Sequence, residues 1–166
     1  MRARLKVTGS VWSNTAIAVV LLLSAAGGRA QNVIPWGSNV HGQTNVPAAA
    51  TNVIAVAANF SHSLALRADG SVIAWGLNAD GQADVPEAAT NIVAVAAGTT
   101  HSLVLREDGS VLAWGGNRNG QTNVSAAATN VVGIAAGEAH SLALRADGTV
   151  LAWGNNDFGQ TNVPLS

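Results

Sequence analysis

The sequence predicts an all-β chain: a partial β-propeller, an open arc of three-stranded antiparallel blades, with about three blades plus one extra strand. Three observations predict it. The Trp-Gly pairs beginning at Trp36, Trp75, Trp114 and Trp153 recur every 39 residues. The stretch His62–Gln82 returns as His101–Gln121 and His140–Gln160, and its last third stands alone once, at Trp36–Gln43. Within each unit, short runs rich in alanine and β-branched residues are separated by glycine turns, and no helical period rivals them. A fixed period of this size marks a supersecondary unit that buries its faces only against copies of itself.

Residues 1–30 read as a secretory signal peptide. Arg2, Arg4 and Lys6 precede the apolar run Ala16–Leu23, and small residues lead to a cleavage site expected near Ala30. The run is shorter than the roughly 20 residues a spanning helix needs, so no membrane association is expected once the leader is removed. No cysteine follows to carry a lipid. The expected location is secreted or periplasmic. Residues 31–166 then divide into a partial repeat, 31–49, and three full ones, 50–88, 89–127 and 128–166.

The third of these units, ending at Gln121, shows the pattern. Asn91–Ala97 is a β-branched and alanine run stopped by Gly98, and it reads as the first strand. His101–Arg106 alternates and reads as the second. Glu107-Asp108-Gly109-Ser110 is a tight turn, since Asp-Gly supplies the positive φ angles that a hairpin needs. Ser110–Trp114 is the third strand, and the Gly-Gly-Asn-Arg-Asn-Gly-Gln loop with an extended Val-Ser or Val-Pro segment leads onward. Such a sheet is apolar on both faces and cannot stand alone. Radial repetition suits it better than linear stacking, because blades diverge outward and can use one large ring per unit. Ala65, Ala74, Ala94, Ala113, Ala143 and Ala152 let neighbouring sheets approach while each tryptophan fills the wedge.

Composition narrows function. There is no cysteine in the 166 residues, which removes disulfides and thiolate metal sites. Beyond residue 30 the chain carries four arginines, no lysine and nine acids, a net of −5, and an acidic chain of this kind does not suit nucleic acid. His62, His101 and His140 sit at the same place in each unit, so a ring spreads them apart, whereas zinc needs three or four convergent ligands. Each is expected to tie a loop to a backbone carbonyl. Ser63, Ser102 and Ser141 follow these histidines, but strand neighbours point to opposite faces, which argues against a nucleophile and base. Asp69, Asp108 and Asp147 belong to turns rather than to a catalytic carboxylate pair. No catalytic residue, cofactor or metal is expected.

The variable positions point elsewhere. The loop from strand one to strand two reads Asn59-Phe60-Ser61, Gly98-Thr99-Thr100 or Gly137-Glu138-Ala139, and strand three exits at the same rim. The exit loops carry Val40-His41, Ala79-Asp80, Arg118-Asn119 and Asp157-Phe158. The Asp-Gly hairpins at the opposite rim hardly vary. Diversity on rigid scaffolding is how binding surfaces are built. The candidate partner-binding residues are Val40, His41, Phe60, Asp80, Thr99, Arg118, Asn119, Glu138, Asp157 and Phe158. Phe60 and Phe158, the chain's two phenylalanines, both fall here and suit the role of interface anchors.

Ala97-Gly98, His101, Asp108-Gly109, Trp114-Gly115, Asn117 and Gly120-Gln121, with their equivalents, form a unit that resembles the repeat of the regulator of chromosome condensation family. The resemblance is nearer to its short-repeat secreted branch, which includes the bacterial proteinaceous β-lactamase inhibitor with three-stranded blades. It covers about residues 33 to 164. It implies a propeller, usually of seven blades, that works by binding other proteins. Asn59, where the pattern wants Gly, and Ser125, where the other units have Pro, are local departures. Seven blades would need about twice this length, so a partial member is expected, with bare edges open to self-association. The function expected is that of a secreted protein-binding module; the alternatives are a structural or adhesive repeat segment, or a fragment of a larger propeller protein.

Overall fold

The computed structural model describes residues 19–22 and 33–164, and among them every regular element is a strand. In chain order these are β1 (Val19–Leu22), β2 (Val33–Trp36), β3 (Val53–Asn59), β4 (His62–Arg67), β5 (Val72–Gly76), β6 (Ile92–Ala97), β7 (His101–Arg106), β8 (Val111–Gly115), β9 (Val131–Ala136), β10 (His140–Arg145) and β11 (Val150–Gly154). They make three antiparallel three-stranded sheets with the second strand in the middle, β3-β4-β5, β6-β7-β8 and β9-β10-β11, here called blades 1, 2 and 3. The expected all-β arc of about three blades is what the chain forms. The cleavage site expected near Ala30 lies outside the described residues.

Two details differ from the sequence expectation. The extra strand around Trp36 is not alone: β2 pairs antiparallel with β1, from Val19 opposite Trp36 to Leu22 opposite Val33. That register matches Ser63 opposite Trp75 and Leu66 opposite Val72 in blade 1, so part of the apolar Ala16–Leu23 run, expected to be a leader, takes the place of a middle strand. The first strand also begins one residue late, at Ile92 rather than Asn91. Asn91 has φ 54°, as Asn52 and Asn130 nearly do, a left-handed conformation that ends an extended strand and that asparagine tolerates best among residues with a side chain. Its carbonyl accepts the Glu107 amide at 2.9 Å, and the register then slips. The bulged residue is Val93, which with Ile54 and Val132 forms a row of half-exposed side chains.

Blades pack face to face by one repeated fit. The alternation of the middle strand sends Leu64 and Leu66 to one face and Ala65 to the other, so a leucine face meets the small face of the next blade. Leu64 and Leu66 pack with Ala89, Ile92, Ala97, Val104 and Trp114. Leu103 and Leu105 pack with Ala128, Val131, Ala143 and Trp153 in the same way. Trp75 closes the equivalent cluster of Val33, Val46, Ala50, Val53 and Ala65. Each hairpin turn also bonds onward, the Gly70 carbonyl taking the Ile92 amide and the Gly109 carbonyl the Val131 amide, both at 3.1 Å. The tryptophan wedge is therefore as expected for Trp75, Trp114 and Trp153, while Trp36 stands 45% exposed, with no blade before it among the described residues.

Trp114→Ala empties the centre of one such cluster and is expected to cost about 3–5 kcal/mol. Trp36→Ala is expected to cost under about 1 kcal/mol. Chemical denaturation of the two variants checks the contrast; equal losses would contradict the wedge.

Candidate protein-binding rim

The exit loops share one polar lock. Asn39, Asn78, Asn117 and Asn156 each donate from Nδ2 across the loop, to Asn45, Asp84, Asn123 and Asn162 respectively, at 2.7–3.0 Å. The Oδ1 atoms of the same asparagines accept the amides of Thr44, Ala83, Thr122 and Thr161. Then Gln43, Gln82, Gln121 and Gln160 accept, at Oε1, the amides of His41, Asp80, Asn119 and Phe158, each at 2.9 Å. Gly42, Gly81, Gly120 and Gly159 turn the chain with φ near +80°, a region costly for other residues. The backbone is thus held by constant side chains, while the side chains that vary are left to point outward. The sequence displays these asparagines and glutamines at fixed spacing; their locking role emerges from the fold.

Five of the ten candidate residues converge. Asp80, Thr99, Arg118, Asn119 and Glu138 line a shallow cavity of about 190 Å³ that crosses loops from all three blades. Because Thr99 and Glu138 come from strand-one loops and the other three from exit loops, both loop types share a rim. The Thr99 amide donates to the Glu138 carbonyl at 3.1 Å, tying two blades there. The rest lie apart. Val40, His41 and Phe60 sit at the N-terminal end of the arc, where Gln43 Nε2 reaches the Phe60 carbonyl. Asp157 and Phe158 sit at the other end, and Phe158 is 94% exposed.

The histidines form a joint between blades. His62 Nε2 lies 3.0 Å from Ser102 Oγ, and His101 Nε2 lies 3.0 Å from Ser141 Oγ, each serine belonging to the next blade. The expectation of a bond to a backbone carbonyl is corrected: the serine stands in between, because the facing blade presents a hydroxyl at that height. Ser102 Oγ donates its one hydrogen to the Gln82 carbonyl, and Ser141 Oγ to the Gln121 carbonyl. Each hydroxyl can therefore only accept from histidine, which fixes the neutral Nε2–H form. The same glutamine carbonyls also take Trp114 Nε1 and Trp153 Nε1. His62 faces blade 2 whereas Ser63 bonds back to the Gln43 carbonyl, the opposite-face geometry expected of strand neighbours.

Nδ1 of both His62 and His101 is buried without a partner. Burial, and then the neighbouring histidine, push the pKa of His62 and of His101 down to about 4. A Cβ on Gly98 would come within 2.1 Å of the His101 ring, so close ring stacking is why glycine stands there. Asn59, at the same place in blade 1, turns its amide across to the Ala97 carbonyl instead. At the opposite rim Ser71 holds the Asp69 carboxyl below its ordinary range by hydroxyl and amide hydrogen bonds, and Asp108 and Asp147 are held likewise by Ser110 and Thr149. No cluster of three His, Cys, Asp or Glu side chains suited to a metal occurs among the described residues.

The regulator of chromosome condensation repeat profile matches residues 53–82, 92–121 and 131–160, together more than half of the chain. The chain belongs to this family. Comparison with curated proteins finds no match. Among solved structures, human WBSCR16 is 22% identical with a TM-score of 0.66, over 83% of this chain and 45% of that one. Yeast RCC1 (Prp20), solved bound to Kap60, is 21% identical with a TM-score of 0.64, over 92% and 46%. The ectodomain of the Physcomitrella patens receptor kinase CR4 is 21% identical with a TM-score of 0.69, over 90% and 42%. Likeness at this level shows the propeller fold, and the chain spans a little under half the length of these structures.

In this member of the regulator of chromosome condensation repeat family the buried histidines should govern acid stability. Their folded pKa values lie below the ordinary 6.5, so no penalty exists above pH 6.5, and stability is lost as pH falls from there toward 4. The expected slope is about 1.4 kcal/mol per pH unit for each histidine. The turn carboxylates add their loss only below the ordinary carboxylate range. Thermal unfolding across pH 7 to 4 checks this; His62→Gln, which keeps a donor for Ser102, should halve the slope.

Proposed function

We propose that the chain is an exported, non-catalytic partial propeller that binds a protein partner through its variable rim. The observation that carries this reading is the lock itself. Four loops hold the same backbone with the same asparagine and glutamine, yet Val40-His41, Ala79-Asp80, Arg118-Asn119 and Asp157-Phe158 differ in charge, size and polarity. Fixed backbone with free side chains lowers the ordering cost of binding. The cavity between Asp80, Arg118 and Glu138 offers opposite charges at short range, and Val40, Phe60 and Phe158 offer exposed apolar area. A protein-binding role also accords with the family, in which yeast RCC1 was solved bound to Kap60 and its binding to Gsp1p and histones was studied. Export rests on the basic start, the apolar Ala16–Leu23 run and the small residues before Ala30.

Replacing Phe60, Phe158 and Arg118 together with alanine is expected to abolish capture of the partner with the thermal transition unchanged. Replacing Asp69, Asp108 and Asp147 at the other rim should leave capture intact. Affinity purification with both variants and the parent checks this; capture surviving the rim variant would favour a spacer or adhesive role. Intact mass of the exported protein should show a start just after Ala30.

A further inference from the structure

The two ends of the arc are halves of one joint. Leu66 and Leu105 are 0% and 4% exposed because a following blade covers them, whereas Leu144, their counterpart in blade 3, is 43% exposed. His140 stands in the register of His62 and His101, but among the described residues no hydroxyl meets its ring. At the other end, Ser63 Oγ donates to the Gln43 carbonyl as Ser102 and Ser141 donate to theirs, yet among the described residues no histidine reaches it. A donor without an acceptor closes one end, and an acceptor without a donor opens the other.

The molecule also shows what fits between them. Trp36–Pro47 and Trp153–Pro164 are identical at nine of twelve positions, differing only at Ser38, Val40 and His41 against Asn155, Asp157 and Phe158. The first segment caps blade 1, its Gln43 carbonyl taking Ser63 Oγ at 3.1 Å and Trp75 Nε1 at 2.8 Å. The last segment repeats the glutamine and the eight other shared residues, and among the described residues its Gln160 carbonyl receives neither a serine nor a tryptophan.

We propose that this chain joins head to tail with a second copy of itself: blade 3 of one seats on blade 1 of the other, and Trp153–Gln160 displaces the second copy's Trp36–Gln43. The exchange is close to balanced, since the bonds from Ser63 and Trp75 pass from one glutamine carbonyl to its counterpart in the repeat. What is added is burial of the Leu144 face and a bond from His140 Nε2 to the open acceptor side of Ser63. β1 and β2 leave with the displaced segment, so the joint does not require processing of the leader, and at the rim it sets the exit loop of Asp157 and Phe158 in place of the loop of Val40 and His41. A head-to-tail contact of this kind uses two different surfaces, unlike a two-fold contact between like faces.

The test exploits that difference on the full chain. Leu144→Arg blocks the blade 3 face, and Val56→Arg blocks the blade 1 face, where Val56 packs against Trp75 and Ala65. Light scattering on the parent should show mass rising above one chain with concentration. Each variant alone should remain a single chain, and an equimolar mixture should give a species of twice that mass, because each variant retains the surface the other lacks. If Val56→Arg unfolds, as judged by circular dichroism, Ile73→Glu blocks the same face. A parent that is a single chain at all concentrations, a Val56→Arg chain that pairs with itself, or a mixture that fails to pair would each overturn the proposal.

Discussion

The hydrogen-bonded joint between successive blades is the constraint on which this structure depends. A glutamine carbonyl from one exit loop takes an indole N–H and a serine hydroxyl from the next blade, and the hydroxyl takes a histidine N–H from the blade before. Four groups from two blades bond one another in a place water cannot reach, with the histidine Nδ1 left unpaired. Buried polar networks of this kind are costly when half-made, so they fix height and register where an alanine-and-leucine interface alone would slide. The hydrophobic fit supplies most of the attraction, and the joint supplies the alignment.

That alignment couples the inside of the propeller to its rim. Gln82 uses its backbone carbonyl for the joint and its side-chain oxygen for the Asp80 amide two residues earlier, so a single buried residue serves the blade interface and the exit loop together. The Thr99 to Glu138 backbone bond continues this coupling from blade 2 to blade 3. A surface carried on such loops is as rigid as the stack beneath it, although every residue presented there is solvent-facing. The arrangement separates two demands that usually compete, since stability resides in residues common to all units and the proposed recognition falls on those that differ.

Much of the fold was legible because the period exposes it. Trp75, Trp114 and Trp153 at constant spacing, the alternation of His101–Arg106 and the Asp108-Gly109 turn give the strands, their order and the shared rim of the two loop types. Residues whose role spans two units were harder to read. His62 and Ser102 are 40 positions apart and meet only after the sheets stack, so the sequence suggested a local carbonyl as the partner of the histidine. Asn91 reads as the start of a strand by its neighbours, and only its left-handed backbone shows otherwise. The pairing of Val19–Leu22 with Val33–Trp36 was hidden for another reason: an apolar run after basic residues satisfies the signal of a leader and that of a middle strand equally well. For the candidate site, position was visible in the sequence, but convergence of Asp80, Arg118 and Glu138 on one cavity needed the arc's curvature.

The glutamine lock sets a rule for how the rim can diversify. At residues 41, 80, 119 and 158 the glutamine oxygen reads nothing but an amide hydrogen, which nineteen of the twenty residue types provide. Histidine, aspartate, asparagine and phenylalanine occupy these places here, spanning acid, base, amide and aromatic. Proline alone is barred, for it has no hydrogen to give. A lineage could therefore rewrite the chemistry of this edge one codon at a time without disturbing the scaffold that carries it.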